Sequence, residues 1–508
     1  MSTLPTRFRR NALANYANSF VTLALALIVT PILVRGLGKE AYGTWVLVTS
    51  LVLYFDLLKF GFSKAAIKYV AEGNAIGDLD RVRRTIATSC AALSVPGLAL
   101  MLAAPGLAFL FPMLFHVSPN LKHAAMILVA LSVIDLAVAI PADTFGSALS
   151  GFQRFELLNA TLTATALAQA VAWTVIVALG GGLIAVGVAG VSLSLLSQVA
   201  RYLIVRHLCG APPLRRRYVD RALFKPLVSM SGWIALTDFA EFVIGGLDPI
   251  VVGLIAGVPQ AGVYAVGSKL AALTERFTTP LLTLFFPHAS ELSASGEKES
   301  IRATLIAGTR IAVAVATPLT IVLGVLARPA IRSWVGPSFG DAALVVVFLS
   351  TTALVYAVAQ TGVLVLRGLG DVKFPARINL FEAVVNLGLS VALCKTIGIK
   401  GVALGTLIAA VLTQLMILLP YICRRTGVRF HSLIVLLARQ FLLPAALALG
   451  VGLLLLATGL SGIVDVILAG VAILVAYAAI AVITALSAAE RSALLDYLKK
   501  RKRGRLAQ

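Results

Sequence analysis

Three carboxylates fall on one face of an apolar segment near the middle of the chain. Asp238, Glu241 and Asp248 lie three and seven residues apart, a spacing that places them on one side of a helix. Carboxylates this close repel one another when all are charged and dry, so they need water, protons or cations. We predict that they bind a coupling ion, H⁺ or Na⁺. Alternatively the three acids are structural, and Asp248 faces lipid headgroups near the outer end of its segment.

Basic side chains occur in other apolar segments. Lys59 follows Asp56 by three residues, and Lys269 and Arg276 are seven residues apart on one helix face. Ionisable groups at membrane depth are costly and usually face a bundle interior or a water-filled cavity. We therefore predict a cavity that contains charges of both signs. Asp56 and Lys59 could instead form a local ion pair within one helix.

Asparagines form a further polar face in the first apolar segment. Asn11, Asn15 and Asn18 recur at helical spacing. Together with Asp56 they predict a polar cavity lining, or alternatively hydrogen bonds between helices, since amide side chains often join helices in membranes. Further polar side chains at membrane depth are Asp135, Asp143, Glu382 and Asn386.

The composition indicates which elements must hold these side chains. Of 508 residues, 59% are hydrophobic and 13% are charged, whereas soluble domains carry about 25% charged residues. Apolar runs of about 20 residues suit helices that cross roughly 30 Å of hydrocarbon, while barrel strands would give short alternating segments. We predict an all-α polytopic membrane protein with about 14 transmembrane helices. The predicted spans cover roughly residues 12–37, 41–70, 82–111, 121–149, 155–180, 183–207, 225–256, 260–287, 303–327, 340–367, 374–396, 400–423, 433–459 and 462–487.

The distribution of basic residues predicts the topology. With the N-terminus in the cytoplasm, the basic clusters fall in inner loops and in the tail, and the outer loops keep only scattered charges. We therefore predict that both termini are cytoplasmic. These loops also account for the net charge of +21, so nucleic acid is not a predicted partner. The inner clusters include residues 7–10, 81–84, 215–217 and 499–505.

The sequence shows no pattern for covalent chemistry. The four cysteines lie far apart without CxxC spacing, which predicts free thiols rather than disulfides or a metal site. No loop is long enough for an extramembrane catalytic domain, and no set of nucleophile, base and metal ligands stands out. We predict a transporter, not an enzyme, with no metal and no cofactor other than a possible coupling ion.

The chain repeats itself at an offset of 219 residues. The offset relates Gly38 to Gly257, and a Gly-x-x-basic-Phe pattern at 151–155 to the same pattern at 370–374. Each repeat contains six predicted spans, and an even number keeps both repeats in the same orientation, as in transporters built from parallel repeats. The predicted domains are a six-helix bundle at 1–207, a cytoplasmic linker at 208–224, a second six-helix bundle at 225–425, and two extra helices with a basic tail at 426–508.

Several segments resemble the polysaccharide-biosynthesis flippases, the O-antigen-type transporters of lipid-linked oligosaccharides. That family belongs to the MOP superfamily, which also contains MATE exporters and lipid II flippases. The resemblance covers about residues 10–425. The similar segments are Asn11 to Phe20, Thr30 to Gly38, Tyr42 to Trp45, Phe60 to Ser63, Lys68 to Val70, and Gly151 to Phe155 with Asn159.

The resemblance implies two six-helix bundles that move by alternating access. The implied substrate is a polyprenyl-pyrophosphate-linked oligosaccharide, carried from the inner to the outer leaflet of the bacterial inner membrane. It also implies a cationic cavity, and we carry that role to Lys59, Lys269 and Arg276. The acids of the seventh span depart from a simply cationic cavity and favour coupling to H⁺ or Na⁺. The implied partners are membrane lipids, a polysaccharide polymerase and glycosyltransferases.

Two alternative functions remain open at this point. In a MATE-like cation-coupled exporter of small molecules, the carboxylates of the seventh span would bind the coupling ion or a cationic drug. A membrane-embedded polysaccharide polymerase would share the apolar composition. Such enzymes usually need a sizeable outer loop with catalytic Arg or His, and the sequence contains none.

Overall fold

The structure, a computed structural model, describes residues 6–59, 61–211, 213–227, 246–282 and 298–484. Throughout these residues the chain is helical and contains no strand, which confirms the predicted fold class. The chain forms two compact units, Met1–Ala265 and Val266–Gln508. The predicted domain boundaries stay a prediction.

The first unit consists of apolar helices that are separated by short turns. Gly38, with a φ of 82°, separates the first two helices. Pro119 starts the fifth helix, where a missing backbone N–H costs nothing. The helices are α1 Thr6–Leu37, α2 Lys39–Asp56, α3 Phe62–Ala75, α4 Leu79–Leu114, α5 Pro119–Gly151, α6 Phe155–Ala178, α7 Leu183–Leu208, α8 Asp248–Ile255 and α9 Val258–Leu282, the last of which continues into the second unit.

The second unit contains longer helices and one widened helical segment. A π-helix, Val411–Leu418, joins two α-helical pieces of a single span. The helices are α10 Lys298–Trp334, α11 Ala342–Gly368, α12 Lys373–Ile397, α13 Ile399–Ala410, α14 Leu419–Thr426, α15 Phe430–Ala457 and α16 Ile463–Thr484.

Twelve of the described helical segments are long and apolar enough to cross a membrane. Six lie between residues 18 and 208, and six lie between residues 299 and 484. The predicted seventh and eighth spans extend beyond the described residues. The protein is therefore a multi-pass membrane protein. Its four cysteines are free, as predicted.

The helices of the two units repeat at the offset found in the sequence. α2 begins at Lys39 and α9 at Val258, each directly after a glycine with positive φ. Because only glycine adopts such a φ without strain, the repeated glycines mark the same turn in both repeats.

The last two helices pack on the second unit through an apolar core. Leu326 of α10, Leu437 and Phe441 of α15, and Ile473 and Tyr477 of α16 are buried in one cluster. These contacts place the two extra helices against α10, the first long helix of the described second unit.

Candidate functional site

The second predicted span is interrupted. The sequence predicted one helix over 41–70, but α2 ends at Asp56, a 3₁₀ turn covers Leu57–Lys59, and α3 starts at Phe62. Gly61 has a left-handed conformation with a φ of 71°, which breaks the α-helix. Interrupted helices in transporters commonly form ligand sites, since their free backbone groups need polar surroundings.

Lys59, at the end of that turn, lies between two carboxylates. Its Nζ is 2.7 Å from Oδ1 of Asp56 and 3.4 Å from Oδ1 of Asp143 on α5. The local ion pair considered as an alternative for Asp56 and Lys59 is therefore present. Asp143 adds a second acidic partner from a distant part of the sequence. The role of Lys59 as a substrate-binding cation stays a prediction.

Asp143 links the interrupted helix to two more elements. Its Oδ2 accepts a hydrogen bond of 2.5 Å from Oγ of Ser63, near the start of α3. Arg201 of α7 is also close enough for its charge to act on Asp143, although the two groups are not within ion-pair distance. Arg201 lies against α5 at Gly146, where an added Cβ would be 3.4 Å from Nη1 of the arginine. The guanidinium of Arg201 therefore packs against α5 at a position one helical turn from Asp143.

We refer to Asp56, Lys59, Asp143 and Arg201 as the ionic cluster. Its two cations and two carboxylates cancel in formal charge. The side chains of Lys59, Asp56 and Asp143 are 21%, 42% and 27% exposed, so the cluster is partly accessible. A partly accessible set of charges can exchange partners with an incoming anion, because Lys and Arg form charge-assisted hydrogen bonds with phosphate oxygens as well as with carboxylate oxygens.

The asparagine face of α1 contacts α6. Oδ1 of Asn15 accepts a hydrogen bond of 2.5 Å from Nδ2 of Asn159, and Oδ1 of Asn18 accepts one of 2.8 Å from Oγ1 of Thr163. These contacts are the helix-joining bonds that we considered as the alternative. The side chain of Asn11 lies outside the described part of the chain. The predicted cavity-lining role of these asparagines stays a prediction.

The structure describes one of the three predicted ion-coupling acids. Asp248 starts α8 and is buried, with 7% of its surface exposed. Its Oδ2 accepts a hydrogen bond of 2.5 Å from Oη of Tyr264 on α9. Burial on the protein side argues against the alternative in which Asp248 faces headgroups. Asp238 and Glu241 lie outside the described residues, so the acidic stripe stays a prediction.

The other two predicted cations lie on α9 within the second unit. Arg276 is exposed and Lys269 is half-buried. Thr274 and Thr278, on the opposite side of the same turns, are buried. The helix therefore presents Arg276 away from its packed face, as a ligand-binding cation requires. Whether Lys269 and Arg276 bind substrate stays a prediction.

A fully buried carboxylate lies elsewhere in the second unit. Glu382 of α12 has no exposed surface. Its Oε1 accepts a hydrogen bond of 2.5 Å from Oη of Tyr356 on α11, and its Oε2 accepts one of 2.6 Å from Nε2 of Gln414. Gln414 belongs to the π-helix Val411–Leu418, and such widened turns often occur at functional sites. A buried ionisable residue in a membrane helix is itself a functional candidate.

Sequence reasoning noted Glu382 but missed the residues that bind it. A glutamine inside an apolar span, such as Gln414, was a usable signal, because amides in membranes seek partners. One turn along α12, Oδ1 of Asn386 accepts hydrogen bonds from Oγ of Ser390 and Oγ1 of Thr406, at 3.0 and 3.2 Å. No group of three or more His, Cys, Asp or Glu among the described residues could hold a metal ion.

Residues 8–293 match the family described as "Polysaccharide biosynthesis protein". The match covers more than half of the chain. The chain belongs to that family. The matched segment contains the ionic cluster, whereas Glu382 lies beyond its end.

Relatives of this polysaccharide biosynthesis family member occur in bacteria and archaea. The membrane protein EpsK of Bacillus subtilis is 22% identical over 446 residues, which cover 84% of this chain and 85% of EpsK. The probable flippase AglR of Haloferax volcanii is 27% identical over 188 residues, which cover 36% of this chain and 39% of AglR. The first likeness therefore spans most of both proteins, and the second spans a part.

Solved structures show which fold this family member has. The lipid II flippase MurJ in an inward closed conformation aligns with a TM-score of 0.68 at 15% identity, covering 91% of this chain and 97% of MurJ. An inward-facing MATE multidrug transporter of the MOP superfamily aligns with a TM-score of 0.66 at 15% identity, covering 80% of this chain and 98% of the transporter. The chain thus has the fold of MOP-superfamily transporters, which agrees with the predicted number of membrane helices and confirms the resemblance found in the sequence.

Proposed function

We propose that the protein is a flippase for a polyprenyl-pyrophosphate-linked oligosaccharide, which it moves from the inner to the outer leaflet for surface polysaccharide biosynthesis. The observation that carries this proposal is the ionic cluster on an interrupted membrane helix, inside the segment that matches the polysaccharide biosynthesis family. The flippase name of AglR and the fold shared with the lipid II flippase MurJ support it. The proposed movement is alternating access between two helical bundles.

The substrate class explains why such a membrane protein needs charges at depth. A sugar-pyrophosphate headgroup cannot cross hydrocarbon, because its hydroxyls and charges would lose their hydrogen bonds there. A wet cavity that opens sideways to lipid lets the head cross while the polyprenyl tail stays in the bilayer. This step needs no bond to be made or broken, which favours a transporter over an enzyme.

The ionic cluster can exchange one set of partners for another. Asp56 and Asp143 neutralise Lys59 when no substrate is bound. A pyrophosphate offers oxygen acceptors that can replace these carboxylates on Lys59 and Arg201. Asp143 keeps the hydrogen bond from Ser63 during such an exchange. Asp56 loses its cation in this exchange and is left to solvent, in keeping with its exposed side chain, and release of the substrate restores the original pairs. Lys269 and Arg276 are the further cations proposed to contact the headgroup.

We place the protein in the bacterial inner membrane with both termini in the cytoplasm. The support is the concentration of basic residues in alternate loops. In this orientation the headgroup is collected where cytoplasmic glycosyltransferases finish it. A polysaccharide polymerase on the outer face is the partner class that would receive it.

We propose that a proton or sodium gradient drives the cycle. Asp238, Glu241 and Asp248 are the candidates from the sequence, and Glu382 is the candidate that the structure adds. Asp248 and Glu382 are both buried and both accept a hydrogen bond from a tyrosine. A buried carboxylate held by neutral donors gains most from binding a proton or a small cation.

A MATE-like exporter is the second candidate function. The same two buried carboxylates favour it, since they suit a cationic cargo as well as a coupling ion. The fold shared with MATE transporters is compatible with this function. A membrane-embedded polymerase has the least support.

Deleting the gene in its host separates the three functions. The flippase proposal predicts loss of a surface polysaccharide, which is measured by glycan staining. It also predicts that the lipid-linked unit accumulates in the cytoplasmic leaflet, which is measured by lipid extraction. Normal surface glycan together with raised drug sensitivity would support the exporter instead. Unpolymerised units that reach the periplasm would indicate a polymerase. Complementation with the wild-type gene is the control.

A further inference from the structure

A basic segment with exposed apolar side chains follows α7 in the first unit. Residues 214–225 contain five basic residues and one acidic residue. All five basic side chains are exposed. Leu214, Val219 and Phe224 are also exposed, at 43%, 45% and 48%. We call residues 214–225 the linker surface.

The linker surface is fastened to the beginning of α4. Nε of Arg83 donates a hydrogen bond of 3.2 Å to the carbonyl oxygen of Cys209, just before the segment. The backbone N–H of Asp220 donates one of 2.9 Å to Oγ1 of Thr88. The carboxylate of Asp220 lies 4.0 Å from Nη1 of Arg84. The chain is thus held on α4 just before the segment, at Cys209, and in the middle of the segment, at Asp220.

Tyr218 fixes the middle of the linker surface. Its ring is buried, and the guanidinium carbons of Arg83 and Arg217 lie 6.0 and 4.8 Å from the ring centre. Nη2 of Arg217 also donates a hydrogen bond of 2.8 Å to Oη of Tyr218. Because the tyrosine is turned inward, the neighbouring basic and apolar side chains are turned outward.

The contacts with α4 set the depth of the linker surface in the membrane. Arg84 is the last charged residue before Lys122, so the apolar part of α4 begins at Thr85. Thr88, one turn further, holds Asp220. The linker surface therefore lies where α4 enters the hydrocarbon. In the orientation of the proposed function, on which this step rests, that level is the cytoplasmic headgroup region.

Within the described part of the chain, the basic side chains of the linker surface have no acidic partner. Its single acid, Asp220, is next to Arg84 of α4. Among the described residues, no carboxylate lies within ion-pair distance of the five basic side chains. They are Arg215, Arg216, Arg217, Arg221 and Lys225.

We propose that the linker surface binds the headgroups of anionic phospholipids in the cytoplasmic leaflet. Clustered Lys and Arg beside a membrane helix attract anionic lipids, and guanidinium groups bind phosphate through paired hydrogen bonds. Leu214, Val219 and Phe224 enter the boundary between headgroups and acyl chains, as the apolar side chains of interfacial segments do. The segment between the two predicted bundles is thereby held at the membrane surface.

A soluble phosphate compound carries the same phosphate oxygens as a lipid headgroup, but the linker surface favours it less. It would use the arginines but would leave the three apolar side chains in water. A lipid headgroup satisfies the cations and covers the apolar side chains at once. The positive-inside rule alone requires basic residues here, but it does not require apolar residues exposed between them.

Lipid titration of the purified full-length protein tests the proposal. Binding of dioleoyl phosphatidylglycerol and of dioleoyl phosphatidylcholine is measured in detergent by native mass spectrometry. The test variant is R216Q/R221Q, and the matched control is K373Q/R377Q, which removes two exposed cations from the second unit. We expect the test variant to bind phosphatidylglycerol about fivefold to thirtyfold more weakly, and the control to be unchanged. The variant R216K/R221K should retain most of the binding.

Three results would overturn the proposal. They are equal affinity for the two lipids in the wild type, an unchanged affinity in the test variant, and an equal loss in the control. Competition with inorganic pyrophosphate separates the ligand sources, since displacement of the lipid by micromolar pyrophosphate would indicate a soluble ligand. Lipid binding is measured without transport. A failure of the flippase proposal would therefore appear in glycan export and not in this titration.

Discussion

The two units follow the same helical plan but place different polar chemistry inside it. In the first unit, Lys59 and Asp143 form part of an ionic cluster. The positions 219 residues later are Thr278 and Gly362, neither of which carries a charge. The second unit instead buries Glu382, whose equivalent in the first unit is Thr163. The duplicated backbone therefore does not carry a duplicated site.

The packing around Gly362 explains part of this difference. A Cβ at Gly362 would lie 2.5 Å from Cγ2 of Ile422, so no carboxylate fits where Asp143 sits in the first unit. A glycine at position 362 thus permits close helix packing in the second unit, where the first unit has a carboxylate.

The groups that stabilise the carboxylate also differ between the units. Cations neutralise Asp143, whereas a hydroxyl and an amide stabilise Glu382. An ionic cluster that is partly exposed suits exchange with an anionic headgroup. A buried carboxylate with neutral donors suits capture of a proton or cation. The comparison therefore favours exchange with an anionic headgroup at the ionic cluster of the first unit, and capture of a proton or cation at Glu382 of the second unit.

Removing Asp143 from the ionic cluster should have the largest effect. Asp143→Leu leaves Lys59 and Arg201 short of a carboxylate. Losing one partner of a buried pair costs about 3–5 kcal/mol, and partial exposure should lower this to about 2–3 kcal/mol. We expect a lower midpoint of thermal unfolding in detergent and no glycan export. The double variant K59M/D143L should regain part of the stability, since Asp56 then loses its cation, and should not regain export. If the Asp143→Leu variant unfolds at the wild-type temperature, Asp143 does not stabilise the protein through Lys59 and Arg201.

Two substitutions of Glu382 should separate its packing from its charge. Glu382→Ala removes an acceptor from Tyr356 and Gln414, which should cost about 1–3 kcal/mol. Glu382→Gln keeps the shape and should fold normally. We expect the glutamine variant to lose the dependence of export on pH or sodium, measured in inverted vesicles with fluorescent lipid-linked sugar. Retained dependence would make Glu382 structural and return the coupling role to Asp238, Glu241 and Asp248.

The cations of α9 should affect transport more than stability. Arg276→Ala or Lys269→Ala removes a proposed headgroup contact, and losing one charged hydrogen bond corresponds to about tenfold weaker export. Surface glycan is measured together with the melting temperature of the purified variants. Arg276→Lys is the control and should keep most of the export. Full export in both alanine variants would remove these residues from the site.

The asparagine face of α1 should give the smallest effect. Asn18→Ala removes one hydrogen bond to Thr163 between α1 and α6, and such bonds in membrane proteins contribute about 0.6 kcal/mol. We expect a slightly lower melting temperature and normal export. If export falls while the melting temperature is unchanged, Asn18 belongs to the transport route. The polar route of the first unit would then include α1 as well as the interrupted helix.

Local features of the site were predictable, and distant ones were not. Asp56 and Lys59 lie one helical turn apart, so their ion pair follows from spacing alone. Asp143 is 84 residues from Lys59, and no periodicity indicates that α5 brings it there. The break at Gly61 was likewise missed, because glycine permits a left-handed turn but continues a helix equally well when packing demands it.

The sequence by itself determined the class of the molecule, its membrane helices and its repeat. These features depend on composition, on apolar run length and on a fixed offset, all of which are local or additive along the chain. Only the tertiary structure decided that Lys59 meets Asp143, that Asn15 bonds to α6, and that Glu382 lies beside a π-helix. A charge at membrane depth must find a partner, but the chain topology selects which distant residue provides it.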